Sequence, residues 1–118
     1  TSYLPFNRGA HPNFWSFYDK TQSGVSIHLI DEGIDTGPIL FQKKVEFFHE
    51  KTFSETYKRL HHEIENLFIF HIDSIISKNW IQKKQSGIGT FHFARDLPKN
   101  FKGWNSNIVD EINRLKNV

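Results

Sequence analysis

The sequence predicts an α/β fold: a strand, a tight turn and a second strand, then one long amphipathic helix and a small C-terminal extension. Three observations carry that expectation. Val25, Ile27 and Leu29 alternate with Ser26, His28 and Ile30, close to the two-residue period of a strand. A second strand, Ile39 to Phe47, is expected across the turn DEGIDTGP. The run T-F-S-E at 52–55 then opens a stretch whose large side chains recur every three or four positions, the period of a helix with one buried face.

In chain order, Ser2 to Gly9 reads as loop, because Leu4-Pro5 and Arg8-Gly9 both interrupt regular structure. Pro12 suits the first turn of a helix, where its missing N–H costs nothing, and NFWSFYDK continues that helix until TQSG ends it. The two strands follow, over Val25 to Ile30 and Ile39 to Phe47. At Thr52 a capping box is expected, in which Thr52 and Glu55 each satisfy an N–H that a helix start leaves without a partner. Phe53, Tyr57, Leu60, Ile64, Leu67, His71 and Ile75 mark the buried face and predict a helix to about Ser77. Beyond Trp80 the chain turns polar and glycine-broken. A short strand is expected at Thr90 to Phe93, a break at Leu97-Pro98, and a last amphipathic helix near Ser106 to Leu115.

Composition bounds the function classes. A chain of 118 residues fits one domain and can bury about two-thirds of the surface it exposes when unfolded. With no cysteine, a disulfide framework, a zinc-thiolate site and a cysteine nucleophile are all excluded, and a reducing, cytoplasmic setting is the expectation. No apolar run approaches the roughly 20 residues that cross a bilayer, so no membrane partner is expected. Basic residues number 15 against 13 acidic ones and are scattered, which reads as a solvated surface and not as a nucleic-acid footprint. Phe is abundant, at 12 residues, and Met is absent, so the core is expected to consist of rigid rings and aliphatics. The start at Thr1, without Met, reads as a fragment, a product of processing or an engineered excerpt.

Most candidate chemistry fails on spacing. HHEIENLFIFH lacks the H-E-x-x-H arrangement that places two imidazoles and a base on one helix face, so no metal site is expected at His61, His62 or His71. G-I-G at 87–89 is too short for a phosphate-binding loop, and no serine stands in a nucleophile elbow. The turn differs, because Asp31, Glu32 and Asp35 crowd into it together with two glycines. Gly33 and Gly37 are expected to supply positive φ and so fold the chain tightly enough to aim Asp35 inward. On spacing alone a second reading stands beside this one, a hairpin whose acids are solvated or cap the turn.

SYLPFNRGAHPNFWSF, followed after a short gap by GVSIHLIDEGIDTGPIL, resembles the second half of the catalytic domain of the folate-dependent formyltransferases. In that family an N-x-H motif leads into an S-x-L-P loop, a strand and a D-x-G-x-D-T-G loop. The last two motifs stand here in order. The resemblance covers residues 1 to about 77, with 78–118 as a C-terminal extension, and implies the C-terminal part of a Rossmann-like domain. The form S-Y-L-P-x-N-R-G-x-H-P-N-x-W is most similar to enzymes that formylate an amino sugar carried on a nucleotide diphosphate, and GTFHFARDLP resembles their extension. The family's methionyl-tRNA and glycinamide ribonucleotide formyltransferases are the alternatives.

The resemblance implies a cosubstrate, 10-formyltetrahydrofolate, and assigns Asp35 to a catalytic triad of Asn, His and Asp. A carboxylate beside the triad His favours its protonated form, which then stabilises the oxyanion formed when an amine attacks the formyl carbon. Ile30, Asp31, Glu32, Gly33 and Ile34 would hold the pterin, largely through backbone groups. Ser2, Leu4, Pro5, Arg8 and Gly9 would shape the substrate loop. His28 either assists the reaction or is a hydrogen-bonded structural residue, and Trp15 and Phe17 either pack in the core or stack on substrate.

The family's His would immediately precede the position of Thr1, and its Asn stands two residues before that His. Three hypotheses follow from this departure. The chain is the C-terminal part of an N-formyltransferase, almost inert without the other part; or a truncated, non-catalytic module that self-associates through open strand edges; or a binding domain that reuses the fold.

Overall fold

The structure, a computed structural model, describes residues 1–117. Its elements in chain order are β1 (Arg8–Gly9), α1 (Pro12–Tyr18), β2 (Gly24–His28), β3 (Ile39–Lys44), α2 (Phe53–Phe70), α3 (Ile72–Ile76), β4 (Phe91–His92) and α4 (Ile108–Lys116), with a 3-10 turn at Ala94–Asp96. The α/β expectation is met. β2 and β3 form an antiparallel hairpin, while β1 and β4 pair in parallel over two residues each. Arg8-Gly9 therefore belongs to a short strand and not to a loop, because Arg8 and Ala10 donate their N–H groups to the carbonyls of Thr90 and His92 (both 2.9 Å). Both hairpin strands are shorter than their apolar runs: β2 stops at His28 and β3 at Lys44. Val45, just past β3, is buried all the same.

α2 begins where the capping box predicts. The Thr52 hydroxyl accepts the Glu55 N–H (3.2 Å) and Glu55 Oε1 accepts the Thr52 N–H (3.1 Å). The helix serves two cores. Phe53 joins Phe14, Trp15, Ile108 and Ile112 in an aromatic-rich cluster, and Leu60 joins Val25 and Val45 under the hairpin, with Ile64 and Leu67 packed alongside. Tyr57 departs from expectation, being 51% exposed. The buried stripe is centred nearer Thr56, Leu60 and Glu63, all of them buried, and Tyr57 falls at its edge. Glu63 is tolerated there because Lys43 and Arg59 both pair with it.

The predicted single helix to Ser77 is interrupted at His71, whose φ of −103° and ψ of 10° leave the helical region. The His71 ring stacks on Phe41 of β3, with centroids 3.7 Å apart. α3 resumes at Ile72.

α1 is tied to α2 by the buried Asn13, which donates from Nδ2 to the Phe53 carbonyl (2.9 Å) and accepts at Oδ1 from the Thr56 hydroxyl (2.8 Å). Its other end is tied to β4, where His92 lies flat on Trp15 and its Nε2 meets Asp19 Oδ2 at 2.7 Å. Trp15 is buried and Phe17 packs against the aromatic cluster, so both are core residues.

Candidate active site

The turn between β2 and β3 starts from Asp31. Its Oδ1 accepts the Gly33 N–H (2.9 Å) and the Thr36 hydroxyl (2.5 Å), a local turn that folds the loop back on itself. Those two hydrogen bonds, the Thr36 hydroxyl first, hold the Asp31 carboxyl below the usual carboxylate range. Asp31 and Glu32 are exposed, as are Ile30 (93%) and Ile34 (60%), so the stretch 30–34 forms an open lip.

Asp35 is different. Its Oδ2 accepts the Gly9 N–H at 2.9 Å, and its Oδ1 lies 3.6 Å from His28 Nε2, with two-thirds of the side chain shielded from solvent (33% exposed). His28 Nδ1 is 2.9 Å from the Leu29 carbonyl. A carbonyl only accepts, so Nδ1 carries a hydrogen and Nε2 is the nitrogen turned to Asp35. The neighbouring acids thus divide the work: Asp31 shapes the turn and Asp35 faces inward.

The expectation that Gly33 and Gly37 supply positive φ is not met. Asp35 itself takes the left-handed conformation, with φ 56°, which short polar residues adopt more readily than others. The glycines are needed for room. A Cβ at Gly37 would strike the Leu29 carbonyl oxygen, and one at Gly33 would strike the Thr36 side chain.

The second loop is held from below. The Ser26 hydroxyl donates to the Ser2 carbonyl (2.9 Å) and accepts the Leu4 N–H (3.2 Å), while Gln42 Nε2 donates to the Leu4 carbonyl (2.7 Å). Leu4 is buried and its peptide bond to Pro5 is cis. Gly9 has φ 89°, and a side chain there would meet the His92 carbonyl. Hence Arg8, Gly9, His28 and Asp35 converge, while Ser2, Leu4 and Pro5 are fastened to Ser26, Gln42 and Thr90.

The C-terminal extension completes the arrangement, which the spacing of residues gave no sign of. Lys83 and Ile39 exchange two backbone hydrogen bonds (2.7 and 2.8 Å), which ties the extension to the start of β3, next to the turn. There the Gln85 amide reaches both loops: Nε2 donates to the carbonyls of Asp35 and Gly37 (2.8 Å each), and Oε1 accepts from Arg8 Nε (3.1 Å) and Nη2 (2.6 Å). A glutamine in a polar, aperiodic run carries no sequence signal of such a role.

A cavity of about 490 Å³ lies between the starts of α1 and α2 and Trp104. His11, Tyr57 and Trp104 give it aromatic walls, Lys58 stands at its rim, and Thr1 lines it. Among the described residues no group of three or more His, Asp and Glu side chains is placed to hold a metal ion, and no helix is long and apolar enough to cross a membrane.

Residues 1–72 match the model of the family described as formyl transferase. The chain is similar to the formyltransferase PseJ of Anoxybacillus kamchatkensis, solved in complex with UDP-4,6-dideoxy-4-formamido-L-AltNAc and tetrahydrofolate. The TM-score is 0.86 at 38% identity, covering 92% of this chain and 59% of that one. It is 32% identical over 102 residues to a methionyl-tRNA formyltransferase of Porphyromonas gingivalis, covering 86% of this chain and 32% of the relative. It is 30% identical over 93 residues to the dTDP-4-amino-4,6-dideoxyglucose formyltransferase of Mycobacterium tuberculosis, covering 79% of this chain and 40% of the relative. The chain therefore spans well under half the length of these two curated relatives. On the matched motifs and the shared α/β architecture, the chain belongs to the formyl transferase family.

Proposed function

We propose that this chain forms part of an N-formyltransferase that moves the formyl group of 10-formyltetrahydrofolate to the primary amine of an amino sugar carried on a nucleotide diphosphate. The observation that carries the reading is Asp35, a shielded carboxylate pinned by the Gly9 N–H and turned to His28. The amine nitrogen attacks the formyl carbon and the carbonyl becomes an oxyanion; the carbonyl then re-forms as the bond from carbon to the folate nitrogen breaks, and the proton lost by the amine passes to that departing nitrogen. Asp35 takes or relays that proton and supports an imidazolium that stabilises the oxyanion. The Asn and His of the family's N-x-H motif belong to the segment that precedes the position of Thr1 in relatives, so the chain alone is expected to be almost inert. Residues 30–34 form the folate lip, and His28, whose Nε2 faces the Asp35 carboxylate, assists.

The relatives support the folate and the acceptor, since one is solved with tetrahydrofolate and a formamido sugar nucleotide and another is named for an amino-sugar nucleotide. The aromatic walls of the 490 Å³ cavity suit a base ring, and Lys58 suits a phosphate. We place residues 1–77 as the core of the unit, 78–118 as its extension, and the protein in a reducing, cytoplasmic setting. The test supplies the preceding segment, as a separately expressed half or as a fusion, and assays formyl transfer to a dTDP- or UDP-linked amino sugar. Transfer that Asp35→Asn abolishes supports the reading. A stable assembly that formylates no amine defeats it.

One further observation favours a second reading. The β2 edge opposite β3 has no strand partner among the described residues, and such an edge recruits other chains. On that reading the chain persists as a non-catalytic, self-associating module.

A further inference from the structure

Asp35 is held by a closed ring of hydrogen bonds. Its carboxylate takes the N–H of Gly9; Gly9 follows Arg8 in β1; the Arg8 guanidinium donates twice to Gln85 Oε1; and Gln85 Nε2 returns to the carbonyls of Asp35 and Gly37. Gln85 is the member that closes it. Both its N–H donors and both lone pairs of its oxygen are used. Its orientation is also determined, because carbonyls only accept and a guanidinium only donates, so the flipped amide would set like against like at all four contacts. The carbonyls it grips flank Thr36, within the bend where Asp35 holds its left-handed φ of 56°. Such a conformation persists only where the surroundings over-determine it.

We propose that Gln85 is a positioning residue of the site: its amide locks the Asp35 turn onto Arg8 and thereby sets where the Asp35 carboxylate points. The catalytic meaning of that position rests on the formyltransferase reading, but the positioning itself is measurable without any turnover.

Amide hydrogen exchange on the full chain tests it, because adjacent groups in β1 report different things. The N–H of Gly9 points to Asp35, whereas those of Arg8 and Ala10 point to Thr90 and His92 in the β1–β4 ladder. Gln85→Met removes all four hydrogen bonds at nearly constant size. It should speed Gly9 exchange by about fivefold or more, the worth of roughly one net hydrogen bond, while Arg8 and Ala10 keep their protection. Gln85→Glu retains acceptors for Arg8 but sets a carboxylate against two carbonyls. It should loosen Gly9 in the same way while the Arg8 ion pair supports the fold, which keeps the test decisive if the methionine variant unfolds. Exchange at Gly9 unchanged in both variants, or rising together with Arg8 and Ala10, would overturn the proposal. In an active assembly the same variants should lower kcat by about tenfold or more with little change in KM for the folate, as expected when a reacting group is misplaced. If the wild-type assembly transfers no formyl group, the proposed function fails and the exchange result still decides the role of Gln85.

Discussion

Asp35 must meet two separate requirements, a left-handed backbone and an ionisable side chain, and substitution can divide them. Asn tolerates positive φ at least as well as Asp, so Asp35→Asn is expected to keep the fold and its melting temperature while lowering formyl transfer by about 10²- to 10⁴-fold in the assembled enzyme. Asp35→Ala should lose the same activity and in addition destabilise the chain by about 1 kcal/mol, because a Cβ without a compensating polar group is penalised in that conformation. Equal melting temperatures for the two variants would show that the left-handed backbone does not constrain position 35. The neighbouring acids were hard to separate by spacing, since Asp31 and Asp35 both stand in D-x-G-x-D. Their difference is one of direction, and the hydrogen bond from Gly9, 26 positions away, decides it.

At the scale of elements, α2 and α4 offer clean tests. The Thr52 side chain caps α2, and Thr52→Ala should cost about 1 kcal/mol, read as a lower melting temperature and urea midpoint without loss of β2–β3 pairing. α4 is anchored by the buried Glu111, which accepts from Arg114 and from the Lys102 N–H. Chiefly through Arg114, its carboxyl is held at about 2 against an ordinary 4.5. The unfolded chain therefore binds this proton more readily than the folded one, and stability rises with pH across that interval. The Glu111 contribution is complete above about pH 4.5 and lost as pH falls towards 2, so urea midpoints should drop over that window. In Glu111→Gln that part of the drop should vanish. A slope equal to wild type would assign it to other carboxylates.

For the whole molecule, the hairpin edge and the apolar side chains left in solvent set the expectation. Phe70 is 83% exposed, Ile76 74% and Ile88 96%, and the β2 edge opposite β3 has no strand partner among the described residues. The isolated chain is expected to self-associate as its concentration rises, and addition of the segment that precedes Thr1 in relatives should suppress this. Sedimentation velocity across a concentration series measures both effects. A chain that stays monomeric throughout would remove the reason for the self-associating reading.

What the sequence determined by itself was local. The capping box of α2, Pro12 at the start of α1, the alternation of β2 and the glycine-flanked turn all rest on contacts within a few residues, where chain stereochemistry leaves few choices. Periodicity also located most of the α2 face, though it overlooked Thr56 and Glu63, whose burial depends on Asn13 and Lys43 elsewhere in the chain as well as on Arg59 one turn away. The tertiary structure alone decided which groups hold Asp35, where the helix breaks against Phe41, and that Gln85 spans two loops. Each of those outcomes depends on partners brought close by folding from distant positions, so no window of sequence contains the groups that determine it.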